Sequence, residues 1–319
     1  MKTFNTNEFD IIYLSYDEPR AEEFYADVKS KWPWAKHVHG VKGFDSAHKA
    51  CANLSEKERF VTIDGDNIVD DAFFNMEFSV QDSVEDCVFS WAARNHVNGL
   101  KYGNGGLKCW PRQFVLDMRT HENTNDSTAM VDFCWDVKYI QFEETYCETY
   151  TNGSPFQSFR AGFREGVKMT LDRGRKITLP EMEYGKSLWH GNLKRLEIWA
   201  SVGADVDNGL WSVYGTRLGA YMTNMTDWDH NSIADYDWFD TFWAEEISPK
   251  MQSCKLNVDM NRHCPYSGYD WSYDLLWDET CKVGRQLRRS MNLNLGDLDE
   301  DASRFFKHVY VAPSRTRYD

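Results

Sequence analysis

No stretch of about 18 consecutive apolar residues occurs in the chain, the length a membrane-spanning helix needs, so no membrane partner is expected. The first 20 residues carry acids instead of the basic start and apolar stretch of a secretory signal, which predicts a cytoplasmic protein. No Cys-x-x-Cys pair is present. The eight cysteines (Cys51, Cys87, Cys109, Cys134, Cys147, Cys254, Cys264 and Cys281) are scattered, which excludes a zinc framework of ordinary spacing and reads as free thiols in a reducing compartment. Sequons such as Asn152-Gly153-Ser154 then carry no meaning. Internal repeats, low-complexity segments and clear linkers are also missing. Positive charge is in deficit, with 36 Lys and Arg against 50 Asp and Glu, a net charge of −14. Such a field repels nucleic acid and anionic surfaces unless a local basic surface overrides it.

What the chain does have is apolar mass. Hydrophobic residues make up 42% and aromatics 15% of its 319 residues, enough for a real core and against disorder. Aromatic faces suit sugar rings and nucleobases, although most fill ordinary cores. Residues 10–16 (DIIYLSY) read as a buried parallel strand, 19–31 as a helix and 36–41 as a short strand. Residues 45–54 (DSAHKACANL) read as a helix with Ala47, Ala50 and Leu54 on one face, and 59–63 (RFVTI) as a third strand. Strand, helix, strand, helix, strand predicts an α/β fold with a mostly parallel sheet flanked by helices. Residues 86–92 read as a further strand, 99–106 as a Gly-rich loop and 156–170 as a helix. The mainly helical, Trp- and Tyr-rich character of the later chain predicts a domain over 1–204 and an extension over 205–319 packed on it.

The strongest chemical signal is Asp64-Gly65-Asp66-Asn67 directly after RFVTI. Ligands of open α/β sheets bind outside the carboxyl ends of strands. Two carboxylates separated by one flexible residue can there grip a hard cation such as Mn2+ or Mg2+ that also holds a diphosphate. DIIYLSYDEP, GFDSAHKACANL and RFVTIDGDN together resemble the nucleotide-binding half of GT-A (Rossmann-like) glycosyltransferases. That resemblance implies a nucleotide-sugar donor, a UDP-sugar above all. It implies Tyr16 and Asp17 near the base or ribose, and Asp64 and Asp66 facing ribose and metal. WPWAKHVHGV, NGLKYGNGGLKCWPR, GFREGVKM and LWHGNLKRL are similar to segments of glycosyltransferases encoded by tailed phages, some of which add glucose or arabinose to hydroxymethylcytosine in DNA. The two resemblances cover roughly residues 8–220. They imply a sugar transfer, in a host cytoplasm, to 5-hydroxymethylcytosine in double-stranded DNA.

GT-A metal sites recruit a late histidine, and His190 in Leu-Trp-His-Gly-Asn is the match; a surface or capping role is the alternative. His48 is a structural residue or a phosphate contact. His37, His39, His121, His263 and His308 carry no expectation. The loop before Lys108 lets backbone approach a sugar, with Lys108 on a phosphate and Trp110 stacked on the ring, or it is a plain turn beside a core tryptophan. An inverting reaction needs a carboxylate base, and the GT-A resemblance implies Asp132 or Asp136 for it, with plain surface acids as the alternative. Arg160, Arg164 and Lys168 align at i, i+4 and i+8. With Arg285 and Arg289 of a later cluster they form either a phosphate-backbone footprint or solvated helix faces. A base buried in a duplex must be flipped out, which Trp211, Trp238 or Trp271 can support.

Other function classes fit less of the chain. A glycan or protein acceptor keeps the same enzyme. A sugar nucleotidyltransferase wants a glycine-rich loop after the first strand, and YLSYDEPR has no glycine. A non-catalytic sugar-binding protein has no need of the DGDN carboxylates.

Overall fold

The computed structural model describes residues 1–103, 105–123, 138–177, 190–250 and 271–311, with the side chains of His190, Trp271 and Ser272 left out. The chain forms two compact units, Met1–Gly153 with Val309–Asp319, and Ser154–His308. The division at Gly153–Ser154 falls earlier than the boundary near 204 that composition suggested.

The first unit runs β1 (Lys2–Asn5), β2 (Asp10–Ser15), α1 (Ala21–Lys31), β3 (Lys36–His39), α2 (Phe44–Leu54), β4 (Arg59–Asp64) and β5 (Asn67–Val69). It continues with β6 (Glu77–Val80), β7 (Val88–Asn95), β8 (Lys101–Tyr102), β9 (Leu107–Pro111), α3 (Arg112–Asp117) and β10 (Tyr139–Thr149). β1 and β6 pair as a separate ribbon. The main sheet has the order β3-β2-β4-β9-β7-β10-β5, with β8 alongside β7. β2 lies parallel to both β3 and β4, as the β-α-β-α-β pattern requires.

The rest of the sheet corrects the mostly parallel expectation. Three of its strand pairs are parallel (β2–β3, β2–β4, β7–β10) and four antiparallel (β4–β9, β7–β9, β7–β8, β5–β10), so the sheet is mixed. The cause is the connection after β7. Only residues 96–106 separate it from β9, too few for a parallel crossover, so the chain folds back on itself. The turn after β4 then carries β5 across to the end of β10, which curls the sheet.

Period-two alternation sorts the parallel strands into two faces. Ile12, Val38 and Phe60 pack with Cys51 of α2, Trp110 and Val115 on one side. Tyr13, Ile11, Val61 and Ile63 pack with Phe24 and Val28 of α1 on the other. Fully burying one such aliphatic or aromatic side chain contributes about 1.5–3 kcal/mol, so these two layers dominate the stability of the unit. The start of α2 is capped from a distance: the Glu122 carboxylate accepts from the backbone N–H of Phe44 (2.6 Å) and Asp45 (3.2 Å).

The second unit comprises α4 (Pro155–Met169), the short ribbon β11 (Leu171–Asp172) and β12 (Arg175–Lys176), α5 (His190–Trp199), α6 (Gly209–Met225), α7 (Tyr236–Phe242), α8 (Trp271–Met291) and α9 (Glu300–Val309). Ser154 caps α4, its hydroxyl accepting from the Gln157 N–H at 3.1 Å, with Pro155 in the first turn. α4 and α6 touch backbone to backbone. A Cβ on Gly162 would lie 2.0 Å from the Ser212 carbonyl oxygen, and one on Gly219 would lie 2.3 Å from that of Phe163. The spacing of Gly162 and Gly166 in α4, and of Gly215 and Gly219 in α6, is what lets the helices meet so closely. Rings of Phe163, Trp228, Trp238, Phe239 and Phe242 cluster beside them. Among the described residues no helix is long and apolar enough to cross a membrane.

Candidate active site

Asp64 ends β4, Asn67 opens β5, and Gly65 and Asp66 make the turn between them. The turn is held from both sides. The Asp64 N–H donates to the Gly106 carbonyl (3.1 Å) just before β9, and the Tyr150 N–H donates to the Asp66 carbonyl (2.7 Å) just after β10. Buried Asn67 ties the parts together. Its amide donates to Asp66 Oδ1 (2.8 Å) and to the Asp64 carbonyl (3.2 Å), and its Oδ1 accepts from the Thr149 hydroxyl (2.9 Å). Below the turn, the Tyr13 hydroxyl lies 2.7 Å from the Gly65 carbonyl oxygen.

Two glycines are required by close approach. A Cβ on Gly65 would lie 2.7 Å from Glu18 Oε2 and 2.8 Å from Ser15 Cβ. A Cβ on Gly106 would lie 2.4 Å from Asp64 Cβ and 2.6 Å from Asn67 Nδ2. Both positions leave room for backbone only, so the carboxylates stand against main chain on either side.

The electrostatics are those of crowded negative charge. Burial pushes the Asp66 carboxyl up to about 7, and the neighbouring Asp64 and Glu18 add to it. Glu18 is raised as well, first by burial and then by Asp17 and Asp64, although it accepts from the Tyr16 N–H at 2.8 Å. The Lys108 ammonium stands 3.7 Å from Asp64 Oδ2 and donates to the Gly105 carbonyl at 3.0 Å. Among the described residues Lys108 is thus the ammonium that offsets these three carboxylates. A divalent cation relieves that imbalance, and an all-oxygen donor set suits Mg2+ or Mn2+. The residues present therefore fit the metal that the sequence implied.

The structure treats the other expected residues unevenly. Tyr16 and Asp17 are exposed just beyond β2, open to a ligand. His48 is buried. It stacks on Phe44 (4.0 Å between ring centroids), meets the edge of Trp110 (4.9 Å), and its Nδ1 donates to the Phe44 carbonyl at 2.8 Å. Burial pulls its pKa down to about 4, so it is a neutral core residue at pH 7. Trp110 is wholly buried and its indole donates to the Thr62 hydroxyl at 2.9 Å, which leaves no open ring face for a sugar. Asp132 and Asp136 lie outside the described residues. His190 opens α5 in the second unit, and its side chain is outside the described part.

The basic row on α4 is engaged within its own unit. The Arg160 guanidinium lies over the rings of Phe156 (5.5 Å) and Tyr236 (5.3 Å), Arg164 donates to the Ile233 carbonyl, and Lys168 pairs with Glu165 at 2.5 Å. Arg285 and Arg289 instead stand exposed on α8. Trp211 packs on Trp243 (5.1 Å) and Trp238 stacks on Phe242 (4.8 Å), so both rings serve the aromatic cluster; the Trp271 side chain is not described.

Sequence reasoning missed Glu18, just beyond β2, and Thr149, brought to the turn by the pairing of β10 with β5, while Gly106 stood in the loop it had marked for close backbone approach. For Glu18 a signal existed, an acid immediately after the first buried strand. It also passed over His37 and His39, whose alternation on β3 puts both rings on the face that carries Tyr13 and Ser15. Comparison with family models and with curated proteins finds no match for this chain.

Proposed function

We propose that the chain transfers a sugar from a nucleotide-sugar donor, a UDP-sugar, to a hydroxyl acceptor, as a GT-A-like glycosyltransferase with Asp64 and Asp66 as metal ligands. One observation carries this reading: Asp66, Asp64 and Glu18 crowd together at the carboxyl ends of β2 and β4, where open α/β sheets bind ligands. Uncompensated carboxylates at such a position are costly for folding and useful for holding a cation. When bound, Mn2+ or Mg2+ supplies charge neutralisation for the diphosphate that leaves as the anomeric bond breaks. The protein's own groups divide the remaining work. Tyr16 and Asp17 border the place of the base and ribose. Lys108 brings a positive charge beside Asp64 toward the phosphates. The acceptor hydroxyl forms the new bond to the anomeric carbon and gives its proton to a carboxylate, for which Asp132 and Asp136 are the candidates.

For the acceptor we propose 5-hydroxymethylcytosine in duplex DNA, supported by the exposed Arg285 and Arg289 in an otherwise acidic chain and by the phage resemblance. Thermal-shift measurements with UDP, GDP, CDP and their sugars, each with and without Mn2+, test the donor site. A metal-dependent rise in melting temperature with one nucleotide, lost in Asp66→Ala, is the expected result. A rise that survives in a folded Asp66→Ala, or no rise with any donor, overturns the reading. Transfer to hydroxymethylated but not to unmodified DNA then decides the acceptor.

A further inference from the structure

A second cluster of ligating side chains lies on α1 and β3 of the first unit, and none of the roles above uses it. His37 and His39 are two residues apart on β3, so their side chains share a face, and the parallel register sets Tyr13 opposite His37 and Ser15 opposite His39. The two rings converge on one oxygen. Ser15 Oγ is 2.8 Å from His37 Nε2 and 2.9 Å from His39 Nδ1. A hydroxyl has one proton, so it can donate to one of these nitrogens only, and the two imidazoles turn their ligating edges toward the same point.

The ring of His37 is fixed in place. Tyr25 lies against it with centroids 4.2 Å apart, and Tyr13 meets it edge-on at 5.3 Å. The third member comes from α1, which lies over this face. Glu22 in its first turn brings a carboxylate near both rings, and one ligand atom from each of Glu22, His37 and His39 lies within 4.8 Å of the others.

We propose that Glu22, His37 and His39 form a metal site for a borderline divalent cation of the zinc class, distinct from the oxygen site at Asp64 and Asp66. Two imidazoles and one carboxylate are the donor set of three-ligand zinc sites that keep a fourth position open. Mg2+ and Ca2+ prefer oxygen alone, so the two sites divide the metals between them. Ligand atoms at zinc distances stand about 3.3 Å apart in a tetrahedron. Closing the cluster therefore needs movement of about 1.5 Å at most, measured against the same tetrahedral geometry. Glu22 and His39 are exposed, and their side chains are free to make that adjustment while the stacked His37 stays still. The Ser15 hydroxyl, or a water, is placed to fill the open position. Ser15 also packs against Gly65, so the cation would brace the layer on which the Asp64–Asp66 turn rests. The site would clamp α1 to β3 and is independent of any sugar transfer.

The test is calorimetric titration of the metal-free full chain with Zn2+ alone, repeated on Glu22→Gln, His39→Asn and Asp66→Asn. One equivalent of Zn2+ is expected to bind at micromolar concentration or tighter. Glu22→Gln and His39→Asn are each expected to weaken it at least about tenfold, since losing even an outer-shell partner of a metal ligand costs that much. Asp66→Asn should leave this event unchanged. Both weakened variants alter exposed side chains, and a melting curve without metal that matches the parent shows that they fold. No saturable binding at micromolar Zn2+ overturns the site. So does an affinity that falls in Asp66→Asn and holds in His39→Asn.

Discussion

Arg217 is buried and Asp66 half-buried, and the surroundings of these two ionisable groups could hardly differ more. Arg217, 1% exposed, donates to the carbonyls of Ala200 (2.7 Å), Thr280 (2.8 Å) and Gly296 (2.7 Å) and to the Asp297 carboxylate (2.7 Å). Burial lowers its pKa while Asp297 holds it up, so it remains a cation. Asp66 has one side-chain donor in Asn67 and two carboxylates as neighbours. A buried charge with every partner in place is architecture. One left among like charges is held there by the fold around it, and the metal reading proposed above rests on that difference.

That contrast can be broken by experiment, and the largest effect should come from the satisfied charge. Arg217→Ala strips three buried carbonyls of their donor and leaves Asp297 with Arg288 alone, so urea unfolding is expected to show a loss of about 3–5 kcal/mol. A loss below about 1 kcal/mol would make Arg217 an ordinary surface-like residue and dissolve the comparison. Next in size, Gly166→Val forces apart the helices α4 and α6, because a Cβ there would already lie 2.1 Å from the Thr216 carbonyl oxygen. About 1–3 kcal/mol or more is expected, read in the same unfolding assay.

The frustrated charge should behave in the opposite sense. With its folded pKa raised to about 7 from an ordinary 3.8, Asp66 holds its proton longer in the folded chain than in the unfolded one. Stability therefore falls as pH rises between those two values. Asp66→Asn removes that loss. Its metal-free melting temperature should exceed the parent's at pH 8 and converge with it toward pH 4, while the Mn2+-dependent nucleotide shift disappears. A variant less stable than the parent at pH 8 would show that Asp66 is satisfied after all. The smallest stability effect belongs to Arg285→Ala and Arg289→Ala, which should change stability by no more than about 0.5 kcal/mol. On the proposed DNA acceptor, each is expected to reduce the slope of DNA affinity against salt by about 0.9, read by binding at several salt concentrations, and an unchanged slope counts against that acceptor.

The sequence exposed one half of this sheet and concealed the other for a physical reason. Runs such as DIIYLS and RFVTID announce buried strands through composition alone, and the helices between them dictate parallel pairing, so β2, β3, β4 and the Asp64–Asp66 turn were legible. Pairing partners are a different matter. Nothing in LKCWP states that it will insert between β4 and β7, and the long strand β10 has partly exposed, polar stretches that no apolar run betrays. Trp110 looked like a sugar platform because it follows a glycine-rich loop, yet it belongs to that unseen strand and points into the core. In the second unit, the Gly-x-x-x-Gly spacings of α4 and α6 were present in the sequence, but the contact they permit needs both helices in view.

The place of β9 has a consequence for how the chain comes off the ribosome. Its residues 107–111 pair with β4 on one side, and Cys109 and Lys108 with β7 on the other. Until they emerge, β2, β3 and β4 can already be assembled from earlier residues, and β4 and β7 each present a bare strand edge. Such edges recruit strands from neighbouring chains. A product ending before Leu107 thus carries two such edges, and one ending before Tyr139 still leaves bare the β7 edge that β10 covers, so the first unit closes only when both strands have emerged.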